Sequence, residues 1–241
     1  MRIALLGYGR MGREVEQVAV STGHEVVLRI DRDNLEDFSS EAASGCDVAI
    51  EFTGPEAAAE TILKAISLGV PVVSGSTGWM ERYEEVAAFC IEKNGSFIHS
   101  SNFSIGVNVL FRLNAELARI MSSHPEYKAI VEEIHHIYKL DSPSGTAIAL
   151  AGGITGHHHE YEGWVLSEAE ADAKSRILTV KSVRQGAVPG THSVTWTSSS
   201  DMISIRHEAF NRRGFAAGAL LAASFLMTRK GVYTMSDVLN L

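Results

Sequence analysis

Two adjacent histidines, His135 and His136, are followed by Lys139 and then by the run Ser142-Pro143-Ser144-Gly145-Thr146, all inside the stretch EIHHIYKLDSPSGT. An imidazole exchanges a proton near neutral pH, an ammonium draws negative charge, and a helix start offers backbone N–H groups to an anion. Together they suit proton donation to a small anionic substrate carrying more than one carboxylate. In one straight strand His135, Ile137 and Lys139 would share a face and His136 and Tyr138 the other. His135 and Lys139 would then stand about 13 Å apart, at roughly 3.3 Å per residue. They can serve one small substrate only if the backbone bends after His136, and the loop-forming LDSPSGT makes that bend the expectation. Ser142 is the expected N-cap and Pro143 the expected first helical residue. Ser144, Gly145 and Thr146 would then turn N–H groups and hydroxyls toward a carboxylate. A capped helix, one satisfied histidine and a solvated lysine would account for each residue singly, but poorly for the cluster.

A second constellation lies at the chain start. Gly7-Tyr8-Gly9-Arg10-Met11-Gly12 fits G-x-G-x-x-G between a strand and a helix. Gly7 permits the tight turn, Gly9 lets the backbone approach a pyrophosphate, and Gly12 lets the helix pack on the strand. Asp31 follows Gly12 by 19 residues, at the end of the next apolar run, where an acid holds ribose hydroxyls. Asp31 disfavours a 2′-phosphate, so NADH is the expected cofactor, while Arg32 beside it leaves NADPH possible. A purely structural glycine turn with an incidental acid is the competing account. Two further turns, FTGP at 52–55 and GSTG at 75–78, also follow strand-like runs. They are expected at the carboxyl ends of a parallel sheet, where ligands bind.

These residues need a frame, and the first hundred residues alternate strand and helix signals. RIALLG, HEVVLRID, DVAIEFTG, VPVVSGSTG and SFIHSSNFS read as strands. Met11–Ser21, the stretch from Pro55 through Leu68, and ERYEEVAAFCIEKNG read as helices. Val15, Val18 and Ala19 mark one face of the first helix. Strands that alternate with helices predict a parallel sheet with right-handed crossovers. Residues 105–122 form a long helical pattern, with Leu110, Leu113, Leu117 and Ile120 expected on its core face. KAIVEEIHHIYKLD, SRILTVKSVRQG, HSVTWTS and MISIRHEAF then suggest a second, open mixed sheet. The fold class is therefore α/β, a Rossmann-type domain joined to an α+β domain. The expected boundaries are 1–104, completed by 213–241, for the first domain and 105–212 for the second.

The chain has 241 residues, of which 45% are apolar and 21% charged, as in an ordinary soluble globular protein. The net charge is −8 with both signs scattered and no long basic run, so nucleic acid and anionic membrane are not expected partners. FAAGALLAASFLM at 215–227 is too short to span a bilayer, which needs about 20 residues, and reads as a buried helix. The N-terminal RIALLGYGRMG has no signal-peptide pattern, so a cytoplasmic location is expected. Cys46 and Cys90, in apolar-periodic segments, are expected as buried reduced thiols.

GYGRMG, EFTGPE, GSTG, SSNFSIGVNV and EEIHHIYKLDSPSGTA occur in an order and spacing that resemble the 4-hydroxy-tetrahydrodipicolinate reductase (dihydrodipicolinate reductase) family. SVRQGAVPGTH, HEAFNRRGFAAGAL and SDVLNL extend the resemblance over nearly the whole chain. The resemblance implies NAD(P)H-dependent reduction of 4-hydroxy-tetrahydrodipicolinate in diaminopimelate and lysine biosynthesis. Gly7, Tyr8, Gly9, Arg10, Met11, Gly12 and Asp31 would hold the dinucleotide. Gly75, Ser76 and Thr77 would line its nicotinamide side, and Ser100, Ser101, Asn102 and Phe103 would close the pocket. His135 would donate the proton with Lys139 as its partner. His136, Ser144, Gly145 and Thr146 would bind the dicarboxylate. Arg212 falls where the chain returns to the first domain, and a homotetramer is implied. The stretch TGHHHEYEGWVLSEAEADAK departs from the family, which usually has a continuing helix and a basic stretch there. His157, His158, His159 and Glu160 are metal-ligand types, but a histidine run on a loop is more often incidental, and no metal is expected. Another amino-acid dehydrogenase, such as an aspartate or diaminopimelate dehydrogenase, would not require HHxxKxDxPSGT. A non-catalytic dinucleotide sensor would have no use for His135 and Lys139.

Overall fold

The computed structural model describes residues 1–167 and 176–241; the stretch EAEADAK of the departing segment lies outside them. The chain forms two compact units, residues 1–105 with 212–241, and residues 106–211.

The first unit is built on a sheet of six parallel strands. In chain order these are β1 (Arg2–Leu6), β2 (Glu25–Ile30), β3 (Val48–Glu51), β4 (Val72–Ser74), β5 (Ser96–His99) and β11 (Gly231–Tyr233). Their order across the sheet is β11-β5-β4-β3-β1-β2. Side chains alternate along each strand, so β1 sends Ile3 and Leu5 into one apolar cluster and Ala4 and Leu6 into the other. Both faces are covered, which is why the strand runs read as continuous apolar stretches. Helix α1 (Arg10–Ser21) buries Gly12, Val15, Val18 and Ala19. Helices α2 (Ser40–Ala43), α3 (Ala58–Ser67) and α4 (Tyr83–Glu92) join the successive strands. The apolar run at 215–227 lies largely in helix α7 (Arg213–Leu226), which buries Ala216, Gly218, Ala219, Leu220, Ala222, Ala223 and Leu226. Small residues are required there: a Cβ on Gly218 would fall 1.8 Å from the Phe103 carbonyl oxygen. Among the described residues no helix is long and apolar enough to cross a membrane. The sixth strand, too short for a sequence signal, was not anticipated. Cys90 is buried as expected, but Cys46 is only half-buried because it follows the short α2, its thiol 3.4 Å from the Ala42 carbonyl.

The second unit carries a mixed five-stranded sheet in the order β10-β9-β6-β8-β7. Its strands are β6 (Lys128–His135), β7 (Gly163–Leu166), β8 (Ile177–Arg184), β9 (Gly190–Thr197) and β10 (Met202–Ala209). β8 runs parallel to β6 and β7, and β9 antiparallel to β6 and β10. Helices α5 (Ile105–Met121) and α6 (Gly145–Thr155) contribute to its core with Ala129, Val131, Val180, Val194 and Trp196. The buried face of α5 differs from expectation. Val107, Leu110, Asn114, Ala118 and Met121 point inward, whereas Leu113 and Ile120 are 52% and 46% exposed. Close approach of α6 selects this face. Asn114 donates to the Leu150 carbonyl at 2.9 Å, and a Cβ on Gly153 would lie only 2.9 Å from the Asn114 amide nitrogen. Leu113 is too large for that contact. β7 was not anticipated within the departing segment.

Candidate active site

The first unit presents a dinucleotide turn whose geometry fits the group it would hold. Gly7 has φ +94°, open to glycine, and its Cβ would fall 2.3 Å from the Phe52 carbonyl oxygen. A Cβ on Gly12 would fall 2.3 Å from the Gly7 carbonyl oxygen. At Gly9, by contrast, no atom lies within 4 Å of a built Cβ, so that side of the turn is open to a pyrophosphate. Gly9 is also the N-cap of α1 and has no side chain to cap its first N–H groups. The turn sits where the strand order reverses, with β2 on one side of β1 and β3 on the other. Beyond these strand ends, Asp31, Arg32, Leu35 and the 53–57 turn line a cavity of about 260 Å³. Tyr8 and Arg29 both bond Glu16, and the Arg13 and Arg29 guanidiniums lie 5.4 and 5.9 Å from the Tyr8 ring, which fixes Tyr8 against α1. Arg10 is exposed and Met11 half-buried.

Glu51, unremarked in the sequence, organises the neighbouring turns. It is wholly buried, and its carboxylate accepts the Thr53 N–H and hydroxyl and the Ser74 and Ser76 hydroxyls, each at 2.6 Å. The Ser76 hydroxyl in turn accepts the Gly54 N–H at 3.0 Å. One carboxylate therefore ties the 52–55 turn to the 75–78 turn. Gly75 lies against the Phe52 ring, its built Cβ 2.1 Å from Cε1, and Thr77 is exposed. The 100–103 segment is held by its own bonds, with the Ser100 hydroxyl donating to the Asn102 carbonyl at 2.7 Å. Phe103 is buried edge-on to Phe52, and Ser101 is exposed.

The second unit's site grows from the core-facing row of β6. That row runs Ala129, Val131, Glu133, His135, apolar first and then polar, and all four are buried. The strand ends at His135, and the Lys139 N–H donates to the His136 carbonyl at 3.1 Å, so the chain turns after His136 as expected. Glu133 is the hub. Its carboxylate accepts the Ser144 N–H at 3.0 and 3.1 Å and the Ser182 hydroxyl at 2.5 Å. One oxygen lies 3.4 Å from His135 Nδ1 and 3.6 Å from His192 Nε2, and the other lies 3.3 Å from the Arg184 guanidinium. Sheet register sets this arrangement, because Glu133 pairs with Ser182 on β8 and with His192 on β9, and His135 pairs with Arg184. The His135 and His192 rings meet edge to face at 5.0 Å. On the far side of His135, a Cβ on Gly190 would come within 3.0 Å of Nε2, so a side chain there would crowd that nitrogen.

The helix starts later than expected. Ser144, not Ser142, caps α6, its hydroxyl accepting the Ala147 N–H at 3.2 Å from an extended backbone. Ser144 is therefore committed to Glu133, Ala147 and His192, the last at 3.2 Å, while Gly145 and Thr146 form the first turn. No atom lies within 4 Å of a Cβ built on Gly145, which leaves room for a ligand. Lys139 pairs with Asp141 at 2.8 Å on both oxygens, and His136 stands 6.5 Å from the Tyr138 ring. The three histidines of the departing loop have different partners, although the His158 and His159 rings stack at 5.8 Å. His157 bonds the Gly153 carbonyl, His159 bonds Ser122, and His158 is buried against Trp196. Among the described residues, only Glu133, His135 and His192 bring three metal-ligand types together. Within that cluster the Glu133 carboxylate is met by the Ser144 and Ser182 donors and the Arg184 guanidinium, with the two imidazoles in contact at 3.4 and 3.6 Å.

Burial alone would raise the Glu133 carboxyl, but the neighbouring His135 and His192 rings and the bonds from Ser144 and Ser182 outweigh it and hold it well below the usual carboxylate range. Burial pushes the His192 imidazole down, and His135 and Lys139 add to this against Glu133. A depressed carboxyl stabilises the fold above its unfolded value, about 4.3 for Glu, and loses that contribution as the pH falls below it. Glu133→Gln is expected to lower stability at pH 7 by about 1–3 kcal/mol, since buried donors lose their acceptor. The gap between the two melting curves should narrow below about pH 4.3. A gap that stays constant down to pH 3 would contradict the depressed carboxyl.

Profiles of known families decide the ancestry of these sites. That of the dihydrodipicolinate reductase N-terminus matches residues 1–103, and that of its C-terminus matches residues 106–239. The chain belongs to the dihydrodipicolinate reductase family. It is 45% identical over its full length to a 4-hydroxy-tetrahydrodipicolinate reductase of Christiangramia forsetii, covering 98% of that protein. It is 31% identical to the one of Thermosipho africanus, again over 100% of this chain and 98% of the other. A dipicolinate-bound dihydrodipicolinate reductase from Paenisporosarcina superposes with a TM-score of 0.76 over 98% of both chains, at 21% identity, a likeness of fold. An aspartate semialdehyde dehydrogenase of Vibrio cholerae shares the fold more distantly, with a TM-score of 0.54 at 13% identity over 95% of this chain and 98% of the other. As a member of the dihydrodipicolinate reductase family, the chain is an NAD(P)H-dependent oxidoreductase of lysine biosynthesis.

Proposed function

We propose that the first unit binds NADH and that the second binds and protonates the cyclic dicarboxylate in the reduction of 4-hydroxy-tetrahydrodipicolinate to tetrahydrodipicolinate. The observation that carries the reading is His135 at the end of the core-facing row of β6. Glu133 lies behind its Nδ1, and Gly190, with no side chain to crowd it, lies beside its Nε2.

Gly7, Gly9 and Gly12 hold the pyrophosphate, and Asp31 takes the ribose hydroxyls beside the 53–57 turn. The dinucleotide, when bound, supplies the hydride. Gly145 and Thr146 receive one substrate carboxylate at the start of α6, and His136 assists. The ring loses water and is reduced at C4, and the charge that develops moves toward the ring nitrogen and C3. Lys139, released from Asp141, offsets that charge, and Nε2 of His135 delivers the proton. Ser144 acts from behind, as the cap that fixes the helix start. Val165, Leu166, Ile177, Val183 and Ile203, left exposed on the second unit's sheet, suit a homotetramer, and a cytoplasmic enzyme is proposed.

The test follows NADH absorbance at neutral pH, with substrate made fresh from pyruvate and aspartate semialdehyde by the preceding enzyme. Oxidation that needs both precursors, faster with NADH than with NADPH, is expected. Folded protein that binds NADH yet oxidises neither cofactor would overturn the reading.

A further inference from the structure

We propose that Glu133 is a positioning residue that sets both proton-handling groups at once, orienting His135 directly and bracing the Lys139 turn through Arg184. The inference rests on the proposed reduction for its catalytic meaning, but its geometry stands apart from it.

The direct arm is the contact between Glu133 and His135 Nδ1 at 3.4 Å. Residues two apart on a strand share a face, so the carboxylate and the imidazole are neighbours by construction. A carboxylate at Nδ1 orients the ring and turns Nε2 toward Gly190, where no side chain stands in the way. His192 fills the remaining side of the same oxygen, 3.6 Å away, and closes it to water.

The indirect arm runs through Arg184. Its guanidinium lies 3.3 and 3.4 Å from Glu133 Oε1 and bonds the Ser182 hydroxyl at 2.9 Å. The same side chain donates to the Asp141 carbonyl at 2.5 Å and reaches the Lys139 carbonyl at 3.4 Å. Ser142 adds a bond to Ser182 at 3.0 Å. The turn that carries Lys139 is thus fastened to the buried carboxylate, although Lys139 itself never touches it. Glu133 also holds the Ser144 N–H, so the cap of α6 is tied to the same oxygen pair.

Charge gives the proposal opposite signs for two variants. Glu133→Gln removes the negative charge behind His135 and keeps the shape. Its kcat is expected to fall ten- to hundredfold, with KM changed less than about threefold. The limb of the kcat profile lost at high pH should move about one unit lower. Arg184→Gln removes the positive charge that competes for Glu133. The same limb should move higher, while KM for the substrate rises as the Lys139 turn loosens. A purely structural role would lower activity in both variants without moving the limbs apart.

Proton titration of the His135 ring by NMR, in the wild type and both variants, supplies a readout that needs no turnover. Shifts of opposite sign support the proposal even if the assay shows a different reaction. Coincident titrations in all three proteins overturn it even if the reduction is confirmed. Should Glu133→Gln fail to fold, Arg184→Gln against wild type decides alone, and an unmoved or lowered titration overturns the proposal.

Discussion

Replacing His135 with alanine is expected to lower turnover by about 10²- to 10⁴-fold, the usual span for a positioned general acid. Dinucleotide binding should be unchanged, because the glycine turn and the Asp31 cavity belong to the first unit, whereas His135 ends β6 of the second. The loss should fall on kcat, since the substrate carboxylates are assigned to the α6 start and not to the imidazole. A residual rate is also expected, because Lys139 and the first-turn N–H groups still stabilise the developing charge. The check is a pair of measurements on purified variant, steady-state NADH oxidation and NADH binding by fluorescence. Unchanged turnover would remove the proton-donor role. Lost binding would show that His135 matters to the first unit in a way its position does not explain.

Why His135 could be picked out from the sequence, and Glu133 could not, is a matter of period and register. Strand alternation puts Glu133 and His135 on one face, and that was readable. What turned Glu133 into a hub was pairing across the sheet: Ser182 and Arg184 arrive on β8 and His192 on β9, 49 to 59 residues later in the chain. No local pattern specifies such pairings. Ser144 was assigned to the substrate for the same reason. As a first-turn residue it offered an N–H, but its acceptor, Glu133, lies 11 residues back on a different element. The N-cap was misplaced at Ser142 because Ser-Pro-Ser offers two good caps, and the contacts of Ser144 with Glu133 and His192 favour the second.

The frame was more legible where a period or a glycine demanded one backbone. The five strands of the first hundred residues and the helix after Gly9 follow from apolar runs punctuated by turns. α5 shows the limit. Leu113 and Ile120 have the right spacing and the wrong face, because the close contact with Leu150 and Gly153 of α6 is taken by Asn114, whose amide fits there and bonds the Leu150 carbonyl. Size at a tight helix contact outweighed hydrophobicity. Glu51 shows another limit, since a buried acid in an apolar strand reads as an exception until its four donors are seen.

The glycine turn separates two roles that one motif combines, and two substitutions should divide them. Gly9→Ala adds a methyl group where nothing lies within 4 Å, so the fold should melt within a few degrees of wild type. That methyl would occupy the side of the turn assigned to the pyrophosphate, and NADH affinity is expected to fall at least tenfold, about 1.4 kcal/mol. Gly12→Ala drives its Cβ to 2.3 Å from the Gly7 carbonyl oxygen, a backbone atom with no rotamer to yield. Helix α1 must shift away from β1, where Val15, Val18 and Ala19 are buried, so stability and NADH binding should fall together. Calorimetry of both variants, with and without NADH, distinguishes the cases. A Gly9 variant that is as stable as wild type and binds NADH equally well would place the pyrophosphate elsewhere. A Gly12 variant with unchanged melting would mean that the helix has slack the close contact at Gly7 does not suggest.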